Sequence, residues 1–547
     1  MQPKFIFISG GVISGVGKGI TTASISLLLQ SRGYRVCPIK CDAYVNVDAG
    51  TIRPQEHGEV FVCDDGIETD EDLGHYERFI HHSLSRANYM TTGSIYQEII
   101  RKERAFFYEG EDVEVVPHVP EEMILRFKEA GRKMKADFVL IEIGGTTGEY
   151  QNILFLEANR IMKYRHHDNV LHVHVGYLPT PPSLGEMKSK PVQTSVRLLN
   201  ETGIQPDFIV GRSEKPMDQR RRERIALFTS TAAQDVISNP NVKSIYEVPL
   251  VLAKQEMAQK ILRKFGLAVR KADGLDRWRK LVENISRLEN ESKPIQIGII
   301  GKYQKVGDDK LEDAYVSVVE AVKHASWASG RCSQLTWFDS DTLEKDGLDQ
   351  LAKMDGIIVP QGWGSRGVEG KIRAVKFARE NNVPYLGLCF GMQMAVIEFA
   401  RHVLGLTGAN TTEADPATSH PVIHVMPEQQ RYLAQKQYGG TIRLGLWDCR
   451  ILPRTKLSQA YGKTGVIKER HRHRYEFNNS YRTRLEKAGL KISGVSPDNK
   501  LVEVIELPQH PFFVATQFHP EYVSRPLTPH PLFLSFIKAA GRFHDQS

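Results

Sequence analysis

The chain of 547 residues carries 72 Lys and Arg against 65 Asp and Glu, a formal charge of +7, and is 41% apolar. That is chain enough for two to four domains of ~100–200 residues, and too little net charge, with no like-charge run beyond Arg220-Arg221-Arg222, for nucleic acid or a membrane surface to be the main partner; acidic small molecules such as nucleotides fit better. Six cysteines without a Cys-x-x-Cys spacing argue against a disulfide framework and a zinc site and for a reducing, cytoplasmic setting; no apolar run of ~18 residues is present, and the amino terminus leads straight into a strand, where no signal peptide is expected.

Phe5-Ile6-Phe7-Ile8 reads as a buried strand feeding a glycine-rich loop, Ser9-Gly-Gly-Val-Ile-Ser-Gly-Val-Gly-Lys-Gly-Ile20. Backbone N–H groups in such a turn converge on phosphate, and Lys18 adds a point charge. The spacing departs from Gly-x4-Gly-Lys-Ser/Thr, since five residues separate Gly11 from Gly17 and Gly19 stands where the magnesium-binding hydroxyl belongs. A metal must therefore find its ligands elsewhere. Residues 34–42 read as a second strand that places Lys40 and Asp42 at a ligand-facing end. The acidic stretch 64–72 is either a Mg2+ site or a solvated turn. Residues 137–143 form a third apolar strand interrupted by Glu142, a carboxylate that needs a partner or a metal; Glu142 and Asp72 are the expected replacement for the missing hydroxyl. After a strand at 170–175, Lys188-Ser189-Lys190-Pro191-Val192-Gln193 is a basic loop at a helix entrance, suited to an anion or to solvent.

Residues 267–294 are charged and helical in pattern and read as a linker between α/β domains at 1–266 and 295–542, with a tail at 543–547. The second domain restarts at 295–303 without a glycine-lysine signature. Its chemistry lies at Gly387-Leu388-Cys389-Phe390-Gly391, an apolar strand running through a tight turn into a helix, where the dipole favours thiolate. A lone cysteine is usually a buried small hydrophobe; Gln517-Phe518-His519-Pro520-Glu521 supplies the base, with His519 and Glu521 two apart on one side of an extended segment.

These motifs together resemble the CTP synthase family over nearly the whole chain. Residues 9–20, 57–62, 68–70, 73–79, 101–104 and 188–193 resemble its synthetase half, and 367–370, 387–393, 470–475 and 517–521 its glutaminase half. The resemblance implies two doubly wound α/β domains, a phosphate-loop amidoligase and a class I glutamine amidotransferase. It implies a ligase of pyrimidine biosynthesis that phosphorylates UTP on its 4-oxygen with ATP and displaces the phosphate with ammonia from glutamine. Implied ATP-binding residues are Gly15, Val16, Gly17, Lys18, Gly19, Ile20 and Asp72, with Asp72 and Glu142 holding Mg2+. UTP or CTP falls to Ser14, Glu149, Tyr150, Gln151, Lys188, Ser189, Lys190, Pro191, Val192, Gln193 and Arg224. Cys389, His519 and Glu521 match the catalytic triad, and Gly362, Phe390, Gly391, Met392, Gln393, Glu413 and Arg474 the glutamine site. GTP as activator and a homotetramer are further expectations of the resemblance.

The sequence departs from the family at Gln361, where a glycine lends an N–H to the oxyanion hole, at Glu149-Tyr150-Gln151, and at Glu114, Pro120 and Arg224. A glutamine visits positive φ less cheaply than glycine, so slow or activator-dependent glutamine hydrolysis is expected if that peptide must flip. The competing readings are another phosphate-loop amidoligase of the cobyrinic acid amidase type, which has no reason to carry the 188–193 loop, and a filament-forming or nucleotide-sensing relative with weak catalysis.

Overall fold

The computed structural model describes residues 3–183, 185–291, 293–302, 305–306, 309–310, 312–345, 347–435 and 437–546. Packing divides the chain into two units: Met1–Ala49 with Asp72–Val282, and Gly50–Glu71 with Glu283–Ser547. The stretch expected as a linker holds the helix Asp276–Glu291, within which the division falls. No described helix is long and apolar enough to cross a membrane, and all six cysteines are free and buried.

The first unit is built on seven parallel strands in the order Tyr89–Thr91, Val36–Asp42, Phe138–Ile143, Lys4–Gly11, Val170–Leu178, Phe208–Ser213, Val236–Pro240. Their side chains are buried almost without exception, because helices cover both faces and leave no solvated side to alternate with. The strand order reverses about the central Lys4–Gly11 strand: the chain leaves it for one side and, after Phe138–Ile143, returns to pair on the other. Ligands of open α/β sheets bind at the carboxyl ends of strands at such a switch point, where the glycine-rich loop emerges.

In the second unit five parallel strands, Ser333–Asp339, Ile295–Gly301, Gly356–Val359, Tyr385–Leu388 and Phe513–Thr516, continue into four antiparallel ones, Val502–Glu506, Lys491–Val495, Arg443–Ile451 and Gly465–His473. The segment Gly50–Glu71 folds here as a hairpin of Phe61–Val62 on Glu68–Thr69. It is tied down by Asp64 to Arg470, Glu68 to Arg472 at 2.8 Å, and Glu59 accepting from Ser317 N at 2.9 Å. The acidic run of the sequence is therefore split. Asp64 and Glu68 answer arginines of the Gly465–His473 strand, while Asp72 opens a helix of the first unit.

Candidate functional site

In the first unit the loop between Lys4–Gly11 and the helix Lys18–Ser31 turns through Gly15 (φ +68°) and Gly17 (φ +91°), conformations that cost a side-chain-bearing residue about 1–2 kcal/mol. The other glycines are needed for closeness. A Cβ on Gly10 would lie 2.7 Å from Lys18 Cδ, and one on Gly19 would lie 1.8 Å from Asp72 Oδ1. The carboxylate of Asp72 thus occupies the space of the side chain that Gly19 lacks. Lys18 is buried and donates to Gly145 O at 2.9 Å; burial lowers its pKa, opposed by the charge of Glu142. Arg212, which sequence reasoning passes over, lies 3.4 Å from where a Gly17 Cβ would be.

Asp72 and Glu142 are brought together as expected, with the Lys40 ammonium bonded to both, the Glu142 contact at 3.2 Å. Tyr76 donates to the other Glu142 oxygen. Burial, then the Asp72 charge, raises Glu142 to about 7.

Lys188 to Gln193 forms the approach and first turn of the helix Lys190–Glu201, with Pro191 early in that turn and no acidic residue there. Ser14 and Arg224 are exposed, as are Tyr150 and Gln151. Glu149 folds back to accept from Thr146 N at 3.0 Å.

In the second unit the neighbouring parallel strands Tyr385–Leu388 and Phe513–Thr516 end beside each other, Leu388 opposite Thr516, and deliver Cys389 and the 517–521 segment to one place. Cys389 holds φ +53° at the start of the helix Phe390–His402. A Cβ on Gly391 would lie 2.0 Å from Val359 O, so the turn admits no larger residue there. Sγ lies 3.7 Å from Arg472 O and 3.6 Å from Gln517 Nε2. His519 Nδ1 bonds Glu521 Oε1 at 2.7 Å and its ring stacks on Tyr522, leaving Nε2 buried without a hydrogen-bond partner among the described residues. Burial alone would lower the imidazole pKa, but the charges of Glu521 and Cys389 raise it to about 10.

Gly362, Phe390, Gln393, Glu413 and Arg474 line one small pocket with Cys389. Met392 and Gly391 are buried in the helix behind it. Glu413 accepts from Gly364 N at 2.7 Å, and burial raises its pKa. Two lysines escape sequence reasoning. Lys302, at the end of a strand, donates to Trp363 O (3.0 Å) and Gly364 O (2.8 Å) over the Phe390 ring, and burial lowers it to about 8; Lys371, fully buried, donates to Pro360 O at 3.0 Å. Lys302's position beyond an apolar strand is the only sequence signal. A larger cavity of about 700 Å³ shares Trp363, Glu413, Arg474 and Tyr475 with this pocket and is walled on another side by residues 50–56.

A phosphate-loop α/β unit and a thiol-turn α/β unit on one chain are the parts of a glutamine-dependent ligase. Residues 4–267 match the family model described as CTP synthase N-terminus, and residues 310–539 the one described as glutamine amidotransferase class-I. The CTP synthase of Acaryochloris marina is 49% identical over 538 residues, covering 98% of this chain and 95% of its own; that of Carboxydothermus hydrogenoformans is 50% identical over 539 residues, covering 98% of each. The solved glutaminase domain of Trypanosoma brucei CTPS with bound acivicin is 38% identical over 45% of this chain and 94% of that one, with a TM-score of 0.42. The chain belongs to the CTP synthase family. Similarity at this level over both halves does not favour the alternative amidoligase.

Proposed function

We propose that the chain converts UTP to CTP with ATP and glutamine, the first unit carrying out the amination and the second releasing the ammonia. The observation that carries this reading is the pairing, in a chain related over its full length to CTP synthases, of a buried phosphate-loop lysine with a cysteine whose neighbouring strand leads to a histidine–glutamate pair.

In the second unit Cys389 attacks the glutamine amide carbon, His519 carries the proton to the departing ammonia, and Glu521 orients the imidazole; water then cleaves the thioester. Glu413 and Arg474 present opposite charges, the complement of an amino acid's ammonium and carboxylate. In the first unit the 15–20 backbone and Lys18 take the ATP phosphates, and Ser14, residues 149–151 and 188–193, and Arg224 take the pyrimidine nucleotide. The uracil 4-oxygen leaves poorly until it is phosphorylated; ammonia then bonds to C4 as phosphate departs, and Lys18 stabilises the charge in transit.

Asp72 and Glu142 would hold Mg2+. The donor set fits, since two hard carboxylates share one ammonium, and Glu142's rise to about 7 by burial and the Asp72 charge marks a site short of positive charge. When bound, the ion supplies charge to the phosphates. Asp72→Asn is expected to raise the Mg2+ needed for half-maximal ammonia-dependent CTP formation by at least ~10-fold. An unchanged Mg2+ titration would remove Asp72 from the ligand set.

The larger cavity is assigned to GTP as activator: Trp363 and Tyr438 offer faces to a purine, and Arg53 and Arg366 offer cations to phosphates. Trp363→Ala should reduce GTP stimulation of the glutamine route by about tenfold and leave ammonia-dependent synthesis as it is. Full stimulation at the same GTP concentration would place the activator elsewhere. A cytoplasmic homotetramer completes the reading, with sedimentation as its test.

A further inference from the structure

A buried hydrogen-bond chain runs beneath the phosphate loop. Asn159 Nδ2 lies 2.5 Å from His172 Nδ1, His172 Nε2 2.7 Å from Ser9 Oγ, Ser9 Oγ 3.0 Å from His174 Nδ1, and His174 Nε2 2.9 Å from Ser195 Oγ, which donates to Val192 O at 2.9 Å. All five side chains are at most 3% exposed.

With the Ser195 hydroxyl donating to Val192 O, the proton order can be read along the chain. Val192 O only accepts, so the Ser195 hydroxyl is committed to it and the Ser195 oxygen accepts from His174 Nε2–H. Burial, then the Lys18 charge, pushes His174 down to about 3, so the ring is neutral and its Nδ1 accepts the Ser9 hydroxyl. The Ser9 oxygen is left to accept from His172 Nε2–H. His172 is neutral too, lowered by burial and then by His174 and Lys163, and its Nδ1 accepts from the Asn159 amide. Facing this end, Asp207 takes the His172 backbone N–H at 2.8 Å and the Lys163 ammonium at 3.1 Å. This order places the proton of both imidazoles on Nε2.

Its middle and its Val192 end belong to elements read as serving different substrates. Ser9 leads into the phosphate loop, while Val192 and Ser195 sit on the helix that begins with the 188–193 loop. These elements touch without slack, since a Cβ on Gly11 would lie 2.4 Å from Ser195 Cβ. We propose that Ser9, His174 and Ser195 form a positioning relay that locks the ATP loop to the pyrimidine-nucleotide loop and sets UTP affinity as one unit. This rests on the reading of both loops given above. A cut anywhere leaves a buried donor or acceptor unpaired and releases the same lock.

The test is a double-mutant cycle of Ser9→Ala and Ser195→Ala, with ammonium salt as nitrogen source. Each single change is expected to raise the UTP KM about tenfold with a smaller change in kcat, and the double variant to be no worse than the weaker single. Two independent packing defects would multiply to roughly a hundredfold and overturn the relay, as would singles with an unchanged KM. Should the variants fail to fold, the wild-type protein decides. In 15N spectra of histidine-labelled protein, His172 and His174 should carry their proton on Nε2 and show no titration between about pH 5 and 8. An Nδ1–H tautomer or a titration at either ring overturns the proposal. Lys18→Ala run alongside separates the two levels: turnover by that variant unseats the ATP-loop reading, and the relay with it, whatever the serine variants do.

Discussion

Replacing Cys389 by alanine is expected to abolish glutamine-dependent CTP formation while ammonium salt still supports it. The variant has no nucleophile, so no thioester forms and no ammonia is released; losing a nucleophile of this kind costs up to ~10⁶-fold. Ammonia supplied in solution bypasses that step. The fold should survive, because Cys389 already holds φ +53° and alanine meets the same backbone strain without adding volume. The same variant tests the electrostatics of the pair. His519 is raised from its ordinary value to about 10, so its contribution to stability is full below the unfolded pKa of ~6.5 and is lost as pH climbs through about 10. Removing Cys389 takes away one of the two charges that raise it. Thermal melting followed against pH should therefore show a smaller loss in the variant, starting near the same pH but complete at a lower one. A Cys389→Ala protein that still uses glutamine, or a folded one that has lost both nitrogen routes, would contradict the assignment.

How much of this was legible in the sequence depends on whether the determinant is local. The phosphate loop and the thiol turn are each written in about ten consecutive residues, where an apolar strand, small residues and a helix must follow one another. Residues 387–391 and 517–521 could be joined because a cysteine needs a base, and the sheet joins them by pairing Tyr385–Leu388 with Phe513–Thr516. Lys302 and Lys371 were not legible, since what brings them to Phe390 is packing between elements far apart in sequence. The packing of Gly50–Glu71 with the second unit was hidden for the same reason: Asp64 and Glu68 look like any acidic turn until Arg470 and Arg472 are placed against them. Gln361 shows the limit of arguing from one dihedral. Its φ lies outside the positive region in this conformation; its carbonyl accepts from Tyr315 Oη at 3.3 Å and its side chain from Tyr522 Oη at 3.1 Å, the ring stacked on His519. What a glycine there would lose is an acceptor for Tyr522, whose ring stacks on His519, a contact that sequence alone does not reveal.

The second large effect runs against motif logic. Gly19→Ser restores the hydroxyl of an ordinary phosphate loop, yet it is expected to lower ammonia-dependent CTP formation by ~10²-fold or more. A Cβ at position 19 would lie 1.8 Å from Asp72 Oδ1 and 2.7 Å from its Cγ, closer than any real contact, so the carboxylate must move and with it the Lys40 ammonium bonded to it. Overpacking of this sort costs about 1–3 kcal/mol, and a shift of ~1 Å in a group that positions phosphate costs about 10² in rate by itself. The compensating change is on the same page of the structure: Asp72→Ala vacates the space, so the Gly19→Ser, Asp72→Ala double variant should recover part of the activity lost by Gly19→Ser alone, with the serine hydroxyl standing where the carboxylate stood. Steady-state CTP formation from ammonium salt across an Mg2+ titration reads both effects at once. Wild-type rates in Gly19→Ser would show that Asp72 does not need the place it holds, and a double variant no better than Gly19→Ser would show that the collision is not what disables it.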